Sequence, residues 1–162
     1  MLYASPKRDI YVIGVFDGHC SPRYNGKRIS EACKTAFLAA AKKLTPALFR
    51  DPVQFKKYLT ENSFGIDEWI NETQPKNSLD AGSTAAVALY DAVSNTFYSF
   101  NVGDSRVIFF ETEWTPAGRK KRARKLLQSM DHKPSLPSEI DRIERAGGTV
   151  RTSKAESSVP RW

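Results

Sequence analysis

The chain has 162 residues, 40% hydrophobic and 27% charged, which suits one globular domain able to bury most of its surface and shows no internal repeat. Its longest wholly apolar patches, Ala36 to Ala41 and Ala85 to Tyr90, are far too short to cross a bilayer. The first ten residues carry Lys7, Arg8 and Asp9 and lack the apolar core and cleavage site of a secretion signal, so neither membrane nor secretion is expected. The formal charge of +7 is concentrated in 119–125, where Arg119 to Lys125 supplies six cations and leaves +1 for the rest; a domain-wide nucleic-acid footprint is absent.

The stretch Ile10 to Cys20 reads Ile-Tyr-Val-Ile-Gly-Val-Phe-Asp-Gly-His-Cys. Short and β-branched, it predicts a strand that is apolar, and so buried, on both faces and that delivers Asp17 to its end. A carboxylate there is a hard oxygen donor suited to Mg²⁺ or Mn²⁺. Gly18 lets a backbone carbonyl turn toward the same ion, and His19 adds a proton donor. The same three residues also suit an ordinary turn with a surface imidazole, so they decide nothing alone.

A polar loop is predicted over Cys20 to Gly26, then a helix with Ile29, Cys33, Phe37, Ala40 and Leu44 on one stripe and Pro46 at its end or at a kink. Asp51-Pro52 offers a cap and first residue for a second helix, interrupted near Gly65. After a turn over Pro75 to Asp80, Gly82 opens a strand running to Tyr90. A turn over Asp91 to Asn95 leads to a strand from Thr96 to Val102. Gly103-Asp104 turns the chain again, and Arg106 to Phe110 completes an antiparallel meander. Trp114 to Lys125 is expected as an exposed basic hairpin or loop, followed by strand at Leu126, Leu127 and Met130. A short helix spans Pro137 to Ala146, with Gly147-Gly148 stopping it, and Val150 begins another strand. Cys20 and Cys33 form no Cys-x-x-Cys pair and look like intracellular thiols, which points to the cytoplasm or nucleus.

Four motifs follow one another in order: Val15-Phe16-Asp17-Gly18-His19; Ala81-Gly82-Ser83-Thr84-Ala85; Asn101-Val102-Gly103-Asp104-Ser105-Arg106; and Asp131-His132-Lys133-Pro134 with Arg142-Ile143-Glu144-Arg145-Ala146-Gly147-Gly148. Together, from about Tyr11 to Val150, they resemble the PPM-type, metal-dependent type 2C serine/threonine protein phosphatases. The resemblance implies an α+β fold, an α-β-β-α sandwich of antiparallel sheets flanked by helices. It also implies two bound Mg²⁺ or Mn²⁺ ions and hydrolysis of phosphoserine and phosphothreonine in phosphorylated protein substrates. Asp17 would touch both ions, the Gly18 carbonyl one of them, and Asp104 a third, peripheral ion. His19 would be the general acid, while Ser105, Arg106 and His132 read as structural, the last tying a loop by hydrogen bonds.

The family's phosphate-gripping arginine and Glu-Asp pair find no match in the nine residues before Ile10. Its later Asp-Gly-x-Trp-Asp and Asp-Asn motifs are absent. Residues 1–162 therefore read as a partial catalytic domain, a fragment with motifs over 10–150, open strand edges, an uncovered apolar sheet face and no tight binuclear binding of its own. One alternative is a non-catalytic relative acting as a binding or regulatory module. Another is a nucleic-acid binder using 119–125, although such a run is more often a solvated loop or import signal, and no recognition helix, zinc spacing or aromatic platform accompanies it. The sequence does not indicate an oligomeric state.

Overall fold

A computed structural model describes residues 1–7, 9–19, 26–73, 81–115, 117–118 and 120–151, with backbone alone at 70, 71, 73 and 120–122. The loop over 20–25 with the Cys20 thiol, the turn over 75–80 and the segment from 152 onward lie outside these residues. The chain divides into two units, Met1–Asp131 and His132–Trp162.

The first unit holds, in chain order, β1 (Leu2–Ala4), β2 (Ile10–Val15), β3 (Gly18–His19), α1 (Gly26–Ala41), α2 (Pro46–Phe49), α3 (Pro52–Thr73), β4 (Gly82–Ser83), β5 (Ala85–Asp91), β6 (Thr96–Val102), β7 (Ile108–Trp114) and β8 (Lys120–Gln128). An antiparallel sheet has the order β1-β2-β5-β6, and β3-β4 and β7-β8 form separate two-stranded ladders. The α+β class and antiparallel pairing agree with the motifs.

One face of the sheet is closed by the helices. Ile10 and Val12 of β2 and Ala85, Val87 and Leu89 of β5 pack with Ile29, Cys33, Phe37, Ala41 and Leu44, the helical stripe the spacing predicts except that Ala41, not Ala40, is its fourth buried member. Phe37 lies between Phe16 and Phe100, at ring distances of 5.3 and 5.5 Å. Phe49, Phe55 and Tyr98 form a second aromatic cluster, locked by the Tyr98 hydroxyl donating to the Phe49 carbonyl at 2.7 Å. Tyr58 ties α3 to α1 through its hydroxyl on the Ala40 carbonyl. The Asp51 carboxylate accepts from the Val53 and Gln54 amides, so the predicted cap starts α3.

Several expectations need correction. Burial alternates along β2: Ile13 and Val15 are 54% and 63% exposed, because among the described residues of the first unit the helices pack on the other side of the sheet. Pro46 starts α2 behind a Thr45 cap instead of kinking α1, and α3 runs unbroken through Gly65 because a helical backbone tolerates glycine. The expected strand from Gly82 is split at Thr84, its first two residues pairing with β3. The meander stops after β6: Gly103, at φ +82°, turns the chain off the sheet, and β7 pairs with β8. Lys120 to Lys125 lie on β8, which pairs antiparallel with β7. Leu2–Ala4 is an unforeseen strand, pairing with Tyr11 to Ile13.

In the second unit, α4 (Pro137–Arg145) carries Glu139 in its first turn and Arg142 and Arg145 in its last, and Gly147 follows at φ +82°. Arg142 donates from Nε and Nη2 to Glu139 Oε2 at 3.0 and 2.7 Å, which lowers the pKa of Glu139 and raises that of Arg142. Val150 is not in a strand.

Candidate active site

The pairings Val15↔Ala86 and Ala85↔Val102 align the end of β2, the start of β5 and the end of β6. Three of the four motifs therefore leave the sheet at the same end. Asp17 is fixed there by its backbone: its amide donates to Thr84 Oγ1 at 3.2 Å and its carbonyl accepts from the Thr84 amide at 2.9 Å. The buried Thr84 hydroxyl also lies 2.6 Å from Ser105 Oγ, which links the residue next to Asp104 into the same network.

Close backbone approach shapes the rest. A Cβ on Gly26 would come within 2.6 Å of the Gly18 carbonyl oxygen, so the start of α1 can sit against β3 only because both positions are glycine. A Cβ on Gly82 would lie 2.6 Å from His19 Nε2, which shows that the imidazole rests over this glycine. The ladder Gly18↔Ser83 and His19↔Gly82 sets the two backbones side by side there. Gly103 packs on Thr84 in the same way, with 2.8 Å between a built Cβ and Thr84 Cγ2.

The remaining motif residues brace this end. Asn101 Nδ2 donates to the carbonyls of Gly103 and Met130, at 3.2 and 3.0 Å. Arg106 grips Asp131 with Nε and Nη2, both at 2.7 Å, so the third motif is bolted to the last residue of the first unit and the Arg106 pKa is raised by this bidentate bond. His132 makes no hydrogen bond to described residues, contrary to the expected loop tie; its influence is a charge beside Glu139, secondary to Arg142.

Asp17, His19 and Asp104 are exposed, and their side chains make no hydrogen bond or ion pair with described residues. Two carboxylates and a backbone carbonyl are donors of the right hardness for Mg²⁺ or Mn²⁺. Among the described residues, however, no three His, Cys, Asp or Glu side chains come together. The donor type fits a divalent cation; the donor number does not close a two-ion centre.

The sequence profile of protein phosphatase 2C matches residues 1–159. The chain belongs to the protein phosphatase 2C family. Among its relatives, the probable protein phosphatase 2C member 13, mitochondrial, of Oryza sativa subsp. japonica is 32% identical over 148 residues, covering 87% of this chain and 33% of that protein. The probable protein phosphatase 2C 2 of Paramecium tetraurelia is 29% identical over 163 residues, covering 94% of this chain and 48% of that protein. The chain thus spans about a third to a half of the length of these relatives. In fold it is similar to the crystal structure of a stage II sporulation E family protein from Thermanaerovibrio acidaminovorans, with a TM-score of 0.53 at 18% identity, over 94% of this chain and 61% of that one.

Within this protein phosphatase 2C domain, the sequence reasoning singled out Asp17, Gly18, His19 and Asp104 and missed Thr84 as the residue to which Asp17 and Ser105 are both bonded. The available signal was a threonine after Gly-Ser at the foot of a strand, a residue that can bond through both hydroxyl and backbone.

Proposed function

We propose that this chain contributes to the catalytic centre of a metal-dependent phosphatase that hydrolyses phosphoserine and phosphothreonine in proteins. The observation that carries this reading is the anchoring of Asp17, whose backbone is held from both sides by Thr84 while its carboxylate faces solvent. Asp17 and the Gly18 carbonyl would hold Mg²⁺ or Mn²⁺, two ions in a complete centre, with Asp104 at a peripheral position. Further carboxylates are needed to complete that shell. His19, exposed above Gly82, would hold on Nε2 the proton passed to the departing serine or threonine oxygen, a role worth about 10²–10⁴ in rate. Cys33 is a free, buried thiol, consistent with action in the cytoplasm or nucleus.

A second reading is favoured by the incomplete donor set: a binding or regulatory module that keeps the site-facing surface without turnover. Phosphate release from a phosphothreonine peptide in Mn²⁺ separates the two. If the chain is catalytic, Asp17→Asn abolishes release and His19→Gln slows it by about 10²–10⁴. Saturable peptide binding with no release in the unmodified chain leaves the module.

A further inference from the structure

The β7–β8 arm takes no part in the site above. Phe109, the second residue of β7, meets Phe97 edge-on, with rings 5.2 Å apart. Phe97 pairs with Tyr90 at the opposite end of the sheet. Five more residues carry β7 to Trp114, roughly 17 Å further at strand rise. Beyond Phe109, β7 continues paired with β8 as far as Trp114.

The register makes the two faces of the arm different. On one, Glu111 opposes Arg124, joined at 2.6 Å, and Glu113 stands opposite Arg122. On the other, Phe110, Thr112 and Trp114 alternate, opposite Lys125, Ala123 and Lys120. Phe110 and Trp114 are 57% and 64% exposed, so two aromatic rings flank a low Thr112–Ala123 centre bordered by lysine positions. β8 carries five cations against two acids on β7, and the acids sit on the first face only. The outer edge of β8 pairs with no described strand, and its stretch Arg122 to Lys125 is regular between two bulges.

We propose that this arm is a docking surface for an extended acidic segment of a partner polypeptide, which adds as a strand to the free edge of β8 and sets its acids along the register positions of Lys120 and Lys125. A two-stranded ribbon is marginal alone, so a third strand gains both ladder bonds and charge pairing. The sequence analysis found no aromatic platform beside the basic run; the pairing supplies one. Nucleic acid fits less well, since Glu111 and Glu113 would face phosphates if the ribbon entered a groove, and phosphates cannot extend a backbone ladder. A lipid surface fits less well because the turn residues Thr115, Ala117 and Gly118 offer nothing bulky and apolar to insert.

The test uses the whole chain and a fluorescein-labelled dodecapeptide of alternating Glu and Val, read by anisotropy, and requires no catalysis. Saturable binding is expected, weakened by at least about tenfold in K120Q/K125Q, with the unfolding midpoint of the variant unchanged. The same peptide N-methylated at alternate residues, tried in both phases, should lose binding in one phase. The proposal is overturned by an absence of binding to the unmodified chain, by N-methylated peptides that bind equally well in both phases, or by tighter binding of a dT dodecamer or of phosphatidylserine vesicles through the same lysines.

Discussion

At the scale of single residues, His19 is the group whose position is most sharply determined by its neighbour. A methyl added at Gly82 would sit 2.6 Å from Nε2, a separation that carbon and nitrogen do not sustain, so the ring must swing away. The imidazole is exposed and free to turn, which makes the cost to stability of Gly82→Ala small, under about 1 kcal/mol. The same substitution should shift the His19 ring resonances in proton NMR, and an unmoved spectrum would contradict the packing. Asp91 is the opposite case, a fully buried carboxylate. Burial opposes its ionisation, yet Ser94 Oγ at 2.6 Å and the Val93 amide at 2.9 Å, with the charge of Arg50, more than compensate and lower its pKa below the usual 3.8. Because the folded value is the depressed one, this stabilisation is complete above 3.8 and is lost as pH falls through the folded value. Stability measured by urea unfolding should therefore drop more steeply below that pH in the natural chain than in Asp91→Asn.

At the scale of elements, α3 tests helix continuity directly. Gly65 lies in its interior, and a Cβ built there meets nothing within 4 Å. Gly65→Ala should stabilise the chain by about 0.5–1 kcal/mol, since only backbone entropy changes; a loss would mean that the helix breaks there after all. The same comparison shows which elements the sequence encodes locally. β6 falls on Thr96–Val102 as its composition predicts, and α1 presents Ile29, Cys33 and Phe37 to the core, because periodicity records which side meets the sheet. Exposure of Ile13 and Val15 was not legible in β2 itself: a run apolar on both sides does not say what will cover the second side. Leu2–Ala4 is too short for a pattern, and becomes a strand through its partner β2. The site divides similarly. Asp17 and His19 stand out by their chemistry, whereas Thr84 acquires its role only when residues 67 and 21 positions away are brought to its hydroxyl.

At the scale of the molecule, the dominant feature of the first unit is a sheet with one face under helices and the other open. Ile13, Val15 and Phe97 are 54%, 63% and 51% exposed, and they border a trough of about 400 Å³ that is roofed in part by Val107 and Phe109. Water against such a surface is costly, at roughly 25 cal/mol per Å² of apolar area left uncovered. Contiguous apolar patches of this kind drive association. The chain by itself should therefore bind the dye ANS while folded and should associate as concentration rises in sedimentation velocity. Replacing Ile13 and Val15 with threonine keeps the β-branched shape that a strand favours and exchanges an apolar arm for a hydroxyl, an ethyl at Ile13 and a methyl at Val15. That variant should lose most of the dye signal and sediment as a smaller species. Its unfolding free energy should change by less than about 1 kcal/mol, because neither side chain has much burial to lose. A folded chain that ignores ANS and stays monomeric at high concentration would contradict an uncovered apolar face.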